Sequence, residues 1–256
     1  MKTPRFVLTS VLFTLLAALP AMAGPRTFVS GLGNDANPGT REQPKRTFAS
    51  ALTVTNPGGQ IVALDSAGYA SSTLTINKSV SIIVPPGVAG FITVSGANDG
   101  IRIDAASTDV VSIRGLIIER TSPDGFAAGI DAPSVGTLTV EDCAVRKFNA
   151  GIFFSQLTAA HLRVHGGSVR QNGYGIYVSS AGGAHDAIVT DCLVENNDYG
   201  FQAIQGNTRI TIGDCTISGN DTGVITSNAA QLISLGNNSF VDNGTDGSFT
   251  GTKARK

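Results

Sequence analysis

Four side chains on three runs about one repeat length apart have the chemistry to move a proton. Arg114, Glu141, Arg163 and His165 lie in the runs VVSIRG, TLTVED and HLRVHG, each on the polar side of an alternating stretch. An imidazole set among a carboxylate and guanidinium groups exchanges protons near neutral pH. Charge pairing along a stacked surface produces the same pattern, with each exposed pair contributing only ~0–1 kcal/mol, and both readings stay open. A second series, Arg102, Asp131, Phe153, Tyr177 and Gln202, sets two aromatic faces between hydrogen-bonding groups. Sugar rings are held in this way, although scattered exposed aromatics are also ordinary. A third series, Glu119, Arg146, Arg170 and Glu195, neutralises itself and reads as a surface ion-pair ladder. Hydrolysis by general acid and base needs two carboxyls within about 5–10 Å, and no series supplies that pair.

These residues fall into series because the chain repeats. From Leu138 to Phe249 one sentence recurs: LTVEDCAVRKFNAGIFFS, LRVHGGSVRQNGYGIYVSS, AIVTDCLVENNDYGFQAIQG, ITIGDCTISGNDTGVITSN and ISLGNNSFVDNGTDGSF. Glycines at 129, 151, 175, 200, 223 and 247 open the last strand of each unit, at intervals of 22, 24, 25, 23 and 24. A steady period of this size signals a solenoid. Each unit alternates apolar and polar residues over three short runs, which is strand periodicity. The first run points Leu138 and Val140, Leu162 and Val164, Ala187 and Val189, Ile210 and Ile212, and Ile233 and Leu235 inward. Three strands per unit, stacked at about 4.8 Å, give a triangular coil. Asn172, Asn197, Asn220 and Asn243 mark one corner. Asparagine tolerates left-handed backbone and bonds to the next amide in a stack, so a structural ladder is expected there.

The three-strand coil and its asparagine corners resemble the right-handed parallel β-helices of the pectate-lyase-like superfamily. The resemblance covers nearly the whole chain after residue 23 and concerns the scaffold. It implies an all-β, single-stranded right-handed parallel β-helix of seven or eight coils of ~24 residues, with a short N-terminal capping helix. Lyases of that family abstract a proton beside a uronate carboxyl with Arg or Lys as base, and a cation such as calcium neutralises the acid. By resemblance, Arg114, Glu141, Arg163 and His165 are the candidates for β-elimination, and Arg102, Asp131, Phe153, Tyr177 and Gln202 for binding a polysaccharide. The sequence departs from the family where it matters. Glu141 lacks aligned acidic neighbours, so calcium has no clear ligand cluster and no cofactor is expected. The paired acids of the hydrolases and the acid- and His-rich signature of the epimerases are missing too. A non-catalytic structural or surface-interaction β-helix is the alternative.

Taken in order, residues 1–23 read as a secretory signal: Lys2 and Arg5, an apolar run from Phe6 to Leu19, then Ala21-Met22-Ala23. Removal after Ala23 would leave a secreted or periplasmic protein without a membrane span. Residues 24–58 lack the repeat and hold a helix candidate after Pro44, with Phe48, Ala49 and Leu52 on one face, suited to cover the first coil. Asp35, in a turn-rich loop without acidic companions, is a poor calcium ligand. Residues 59–250 form the β-helix domain, and the basic residues 251–256 read as a disordered tail.

Charged residues make up 14% of the chain and the formal net charge is −1, so nothing favours nucleic acid or an anionic membrane. Cys143, Cys192 and Cys215 align with inward places. Buried free thiols are the favoured reading. Cys192 and Cys215, on successive turns, are within reach of a disulfide.

Overall fold

The structure is a computed structural model that describes residues 24–122, 124–180 and 182–254; the expected signal segment lies outside them. Three parallel sheets of ten, eight and eight strands run the length of the molecule. Successive strands in a sheet come from successive turns, so the chain winds about eight times around one core. The first sheet runs from Gly24–Val29 through Val110–Arg114, Thr137–Glu141 and Ala160–His165 to Gln231–Ser234 and Gly251–Thr252. The second includes Leu116–Arg120, Ala144–Arg146 and Ser168–Arg170. The third includes Ile101–Asp104, Ala128–Ser134, Ala150–Gln156, Tyr174–Ser180 and Tyr199–Ile204. Inward positions carry fully buried Ile, Val, Leu and Phe, among them Ile113, Leu138, Leu162, Phe154 and Phe201.

Register is carried by backbone geometry at the corners. Asn172, Asn197, Asn220 and Asn243 form the expected ladder, each Nδ2 donating to the next Oδ1 at 3.0 Å. Their backbone is not left-handed. Positive φ falls one residue earlier, at Gln171, Asn196, Gly219 and Asp242, and again at Asp142, Gly166, Asp191 and Asp214 on another corner. A turn needs one residue bent this way, and the ladder asparagine follows it so that its amide faces the stack. A non-glycine residue there costs about 1–2 kcal/mol, offset by the amide bonds.

The final turn departs from the expected pattern. Leu232 and Ser234 face inward and Ile233 and Leu235 outward, because Ile210 pairs with Leu232 and Ile212 with Ser234. Gly247 also leaves the glycine series: it pairs with Val224, which sets Asp246 across from Gly223. Gly251–Thr252, assigned to the tail on sequence, instead pair with Ile233 and Ser234.

At the other end, helix Phe48–Val54 buries Phe48, Ala51 and Leu52. Thr47 Oγ1 accepts the Ser50 N–H at 3.1 Å, an N-cap, and Lys78 Nζ donates to the carbonyls of Leu52 and Thr55. Asp35 braces the same end, accepting from the backbone of Arg46 and Thr47, both at 2.9 Å. Its carboxylate is thus spent on structure.

Candidate functional site

On the first sheet, Arg114, Glu141, His165 and Thr190 stand in one outward column, and Ser112, Thr139, Arg163 and Ile188 in another. Both columns are as expected, but the pairing within them is not. Arg114 Nε lies 3.4 Å from Asp142 and 4.0 Å from Glu141. His165 Nδ1 turns away from Glu141, to Thr190 Oγ1 at 3.0 Å and Asp191 at 3.3 Å. Arg163 makes no ion pair among the described residues. The four residues therefore share a surface without forming one hydrogen-bonded unit. Asp142 and Asp191 were missed, although the recurring Asp-Cys step at 142–143, 191–192 and 214–215 marks them in the sequence.

The third sheet assembles a continuous feature. Arg102, Asp131, Phe153, Tyr177 and Gln202 occupy one column in register. Phe153 and Tyr177 meet with ring centroids 5.0 Å apart. Three further rings extend the series: Phe126 packs edge-on against Phe153 at 6.3 Å, Tyr174 contacts Tyr177 at 5.2 Å, and Tyr199 stacks on Tyr174 at 5.2 Å with planes 13° apart. Tyr174 and Tyr199 come from the repeated step Tyr-Gly, which was legible, whereas Phe126 sits in a corner outside the repeat. Phe126 is 58% exposed, and the other four rings are half-buried, each with an edge or face to solvent. Burial, then the Tyr174 hydroxyl nearby, pushes the Tyr177 phenol above its ordinary range, so it stays a neutral donor.

One end of this strip is charged. Arg102 Nη1 donates to Asp131 Oδ2 at 2.5 Å. Asp131 nevertheless has its pKa pushed up to about 6, first by burial and then by Asp99, with Arg102 opposing. The side chain is 13% exposed, so loss of water outweighs one half-exposed partner. On the second sheet the predicted ladder is present: Arg146 meets Glu119 at 2.7 Å and Arg170 meets Glu195 at 3.5 Å.

Residues 91–243 match the family described as the right handed beta helix region. The chain belongs to that family. Among solved structures, the pectate lyase Pel9A is similar to this β-helix with a TM-score of 0.56 and 13% identity, covering 90% of this chain and 78% of that one. A GH136 lacto-N-biosidase from Eubacterium ramulus follows at 0.48 and 10%, covering 90% and 67%. A rhamnogalacturonan lyase aligns at 0.31 and 11%, covering 88% of each. No curated protein sequence matches significantly. At these identities the likeness concerns the fold alone.

Calcium, raised by the resemblance drawn from the sequence, does not fit the residues present. Arg114 already engages the two carboxylates nearest the first-sheet column, Glu141 and Asp142. Among the described residues no three His, Cys, Asp or Glu side chains converge as a metal set. Calcium takes six to eight oxygens, a set that this column does not gather. Cys143, Cys192 and Cys215 are free and buried, and take no part in either surface.

Proposed function

We propose that this protein binds a polysaccharide along the outward face of the third sheet. The observation that carries the reading is the unbroken run of rings from Phe126 through Phe153, Tyr177 and Tyr174 to Tyr199. Aromatic faces hold the apolar faces of sugar rings, and flanking polar groups set their orientation. Arg102 and Asp131 supply such groups at one end and Gln202 beside Tyr177. Arg102 is balanced by Asp131, which favours a neutral or mildly charged glycan. The similarly folded pectate lyase Pel9A acts, by its name, on a glycan, which supports this class without adding residues to it.

Elimination at Arg114, Glu141, Arg163 and His165 has weaker support. Glu141 and Asp142 both engage the Arg114 guanidinium, so it is not free to meet a substrate. Arg163, free of such a pair, is the member on which lyase chemistry would have to rest. The reading further includes export after removal of residues 1–23, checked by N-terminal sequencing of protein recovered outside the cytoplasm.

Affinity electrophoresis through gels containing neutral and uronate polysaccharides tests the binding. Retardation in at least one gel, lost in Tyr177→Ala, is expected. Equal mobility in every gel sinks the proposal and leaves a structural β-helix. Release of unsaturated uronate ends, followed by ultraviolet absorbance with and without calcium and abolished in Arg163→Ala, would place catalysis on the first sheet.

A further inference from the structure

The first sheet carries a second surface, far from the aromatic strip and of different chemistry. Toward its C-terminal end the outward column runs Arg163, Ile188, Thr211, Ile233 in register. Ile188 is 41% exposed, and the outward turn of Ile233 and Leu235 adds two more aliphatic side chains. They floor a half-open groove of about 640 Å³, within the range of roughly 300–1,000 Å³ for small-molecule sites. Outward positions of a solenoid have no core to fill. Ile188, Ile233 and Leu235 grouped there give the groove an apolar floor.

The rim selects the occupant's charge. Arg209 is held by Asp186 through two parallel bonds of 2.7 and 2.8 Å and is neutralised. Arg163 borders Ile188 at one end of the groove, and Lys253 closes the other. Neither makes an ion pair among the described residues. His161 contributes the one ring of the lining, and no Phe or Tyr joins it, so the groove lacks the broad aromatic platform of the third sheet and its floor suits methylenes. From Ile188 to Ile233 spans two strand spacings, about 10 Å, which sets the length of an apolar tail.

We propose that this groove binds a medium-chain aliphatic carboxylate. The tail lies over Ile188, Ile233 and Leu235, and the carboxylate meets the Arg163 guanidinium. The site is independent of the polysaccharide surface, so either can fail without the other.

Isothermal titration with decanoate tests it on the chain as it exists after residue 23, with decanol as the uncharged arm. Decanoate is expected to bind and decanol to bind at least about tenfold more weakly, the size of one charge-assisted contact. Arg163→Ala should weaken decanoate about tenfold, and Ile188→Glu should abolish it. Tyr177→Ala, on another sheet, should bind it as wild type does. Circular dichroism of each variant confirms the fold, since both substituted side chains are exposed. No heat with decanoate at either about 10 or about 37 °C, temperatures far enough apart that the heat-capacity change of apolar burial cannot cancel it at both, or undiminished binding by Arg163→Ala and Ile188→Glu, overturns the site. Equal binding of decanol overturns the assignment of the anion to Arg163.

Discussion

A Cβ placed on Gly175 would lie 2.5 Å from the carbonyl oxygen of Gly200 on the next turn. The relationship repeats: Gly129 faces the Gly151 oxygen at 2.7 Å, Gly151 that of Gly175 at 2.7 Å, and Gly200 that of Gly223 at 2.5 Å. The glycine column is a line of backbone contact between turns. Backbone oxygen bonded into a sheet cannot step aside, so Gly175→Ala should cost about 1–3 kcal/mol, as overpacking does. Urea unfolding of the variant should show a lower midpoint at unchanged slope.

Asn197 accepts from both the backbone N–H and Nδ2 of Asn172, each at 3.0 Å, and donates to Asn220 Oδ1 and the Val169 carbonyl. It is 3% exposed. Asn197→Ala removes these bonds and leaves buried donors of Asn172 unpaired. At about 1–3 kcal/mol for an unsatisfied buried group, a loss of roughly 3 kcal/mol is expected. Hydrogen exchange should quicken first at the backbone amide of Asn172, which loses its acceptor.

Asp131 makes stability depend on pH in a definite direction. Its folded pKa of about 6 exceeds the ordinary value of about 3.9. Between those values the folded state binds more protons, so this group's contribution is present at acid pH and is lost as pH rises through about 6. The span is on the order of 2–3 kcal/mol. Asp131→Asn removes the titration, so the stability of wild type relative to the variant should fall from pH 4 to 6 and level off above 7. A flat difference refutes the assignment.

The ring strip predicts unequal effects along its length. Tyr177 touches both Phe153 and Tyr174, whereas Tyr199 ends the series. For a polysaccharide that retards the wild type, Tyr177→Ala should weaken binding more than Tyr199→Ala. Each ring is worth about 0.5–1.5 kcal/mol beyond its buried area. Affinity electrophoresis at several glycan concentrations measures both.

The three thiols should be silent in the folded protein. Cys143 is buried, which pushes its pKa up to about 12, so almost no thiolate exists at pH 8. Cys192 and Cys215 are shielded by burial and not by a raised pKa at both, because the bond with the Cys192 thiol lowers that of Cys215; a thiol reagent at pH 8 should label none of the three until denaturant is added, and all three afterwards. Fast labelling in the native state contradicts their inward placement.

The sequence alone determined the solenoid, its three sheets and the composition of its outward columns. A coil of constant period places equivalent residues in register, so Asp131, Phe153, Tyr177 and Gln202 could be aligned before any coordinate was known. Where the period weakens, alternation fixes facing only to within one residue. The run Leu232-Ile233-Ser234-Leu235 reads equally well either way. Only stacking of Leu232 on Ile210 decided it, and that turned Ile233 and Leu235 outward to make the groove. Tertiary structure also chose partners. His165 reaches Asp191 rather than Glu141 because a left-handed bend at residue 191 swings that carboxylate beside the imidazole. Such a choice depends on corner geometry in three dimensions, which no spacing in the chain encodes.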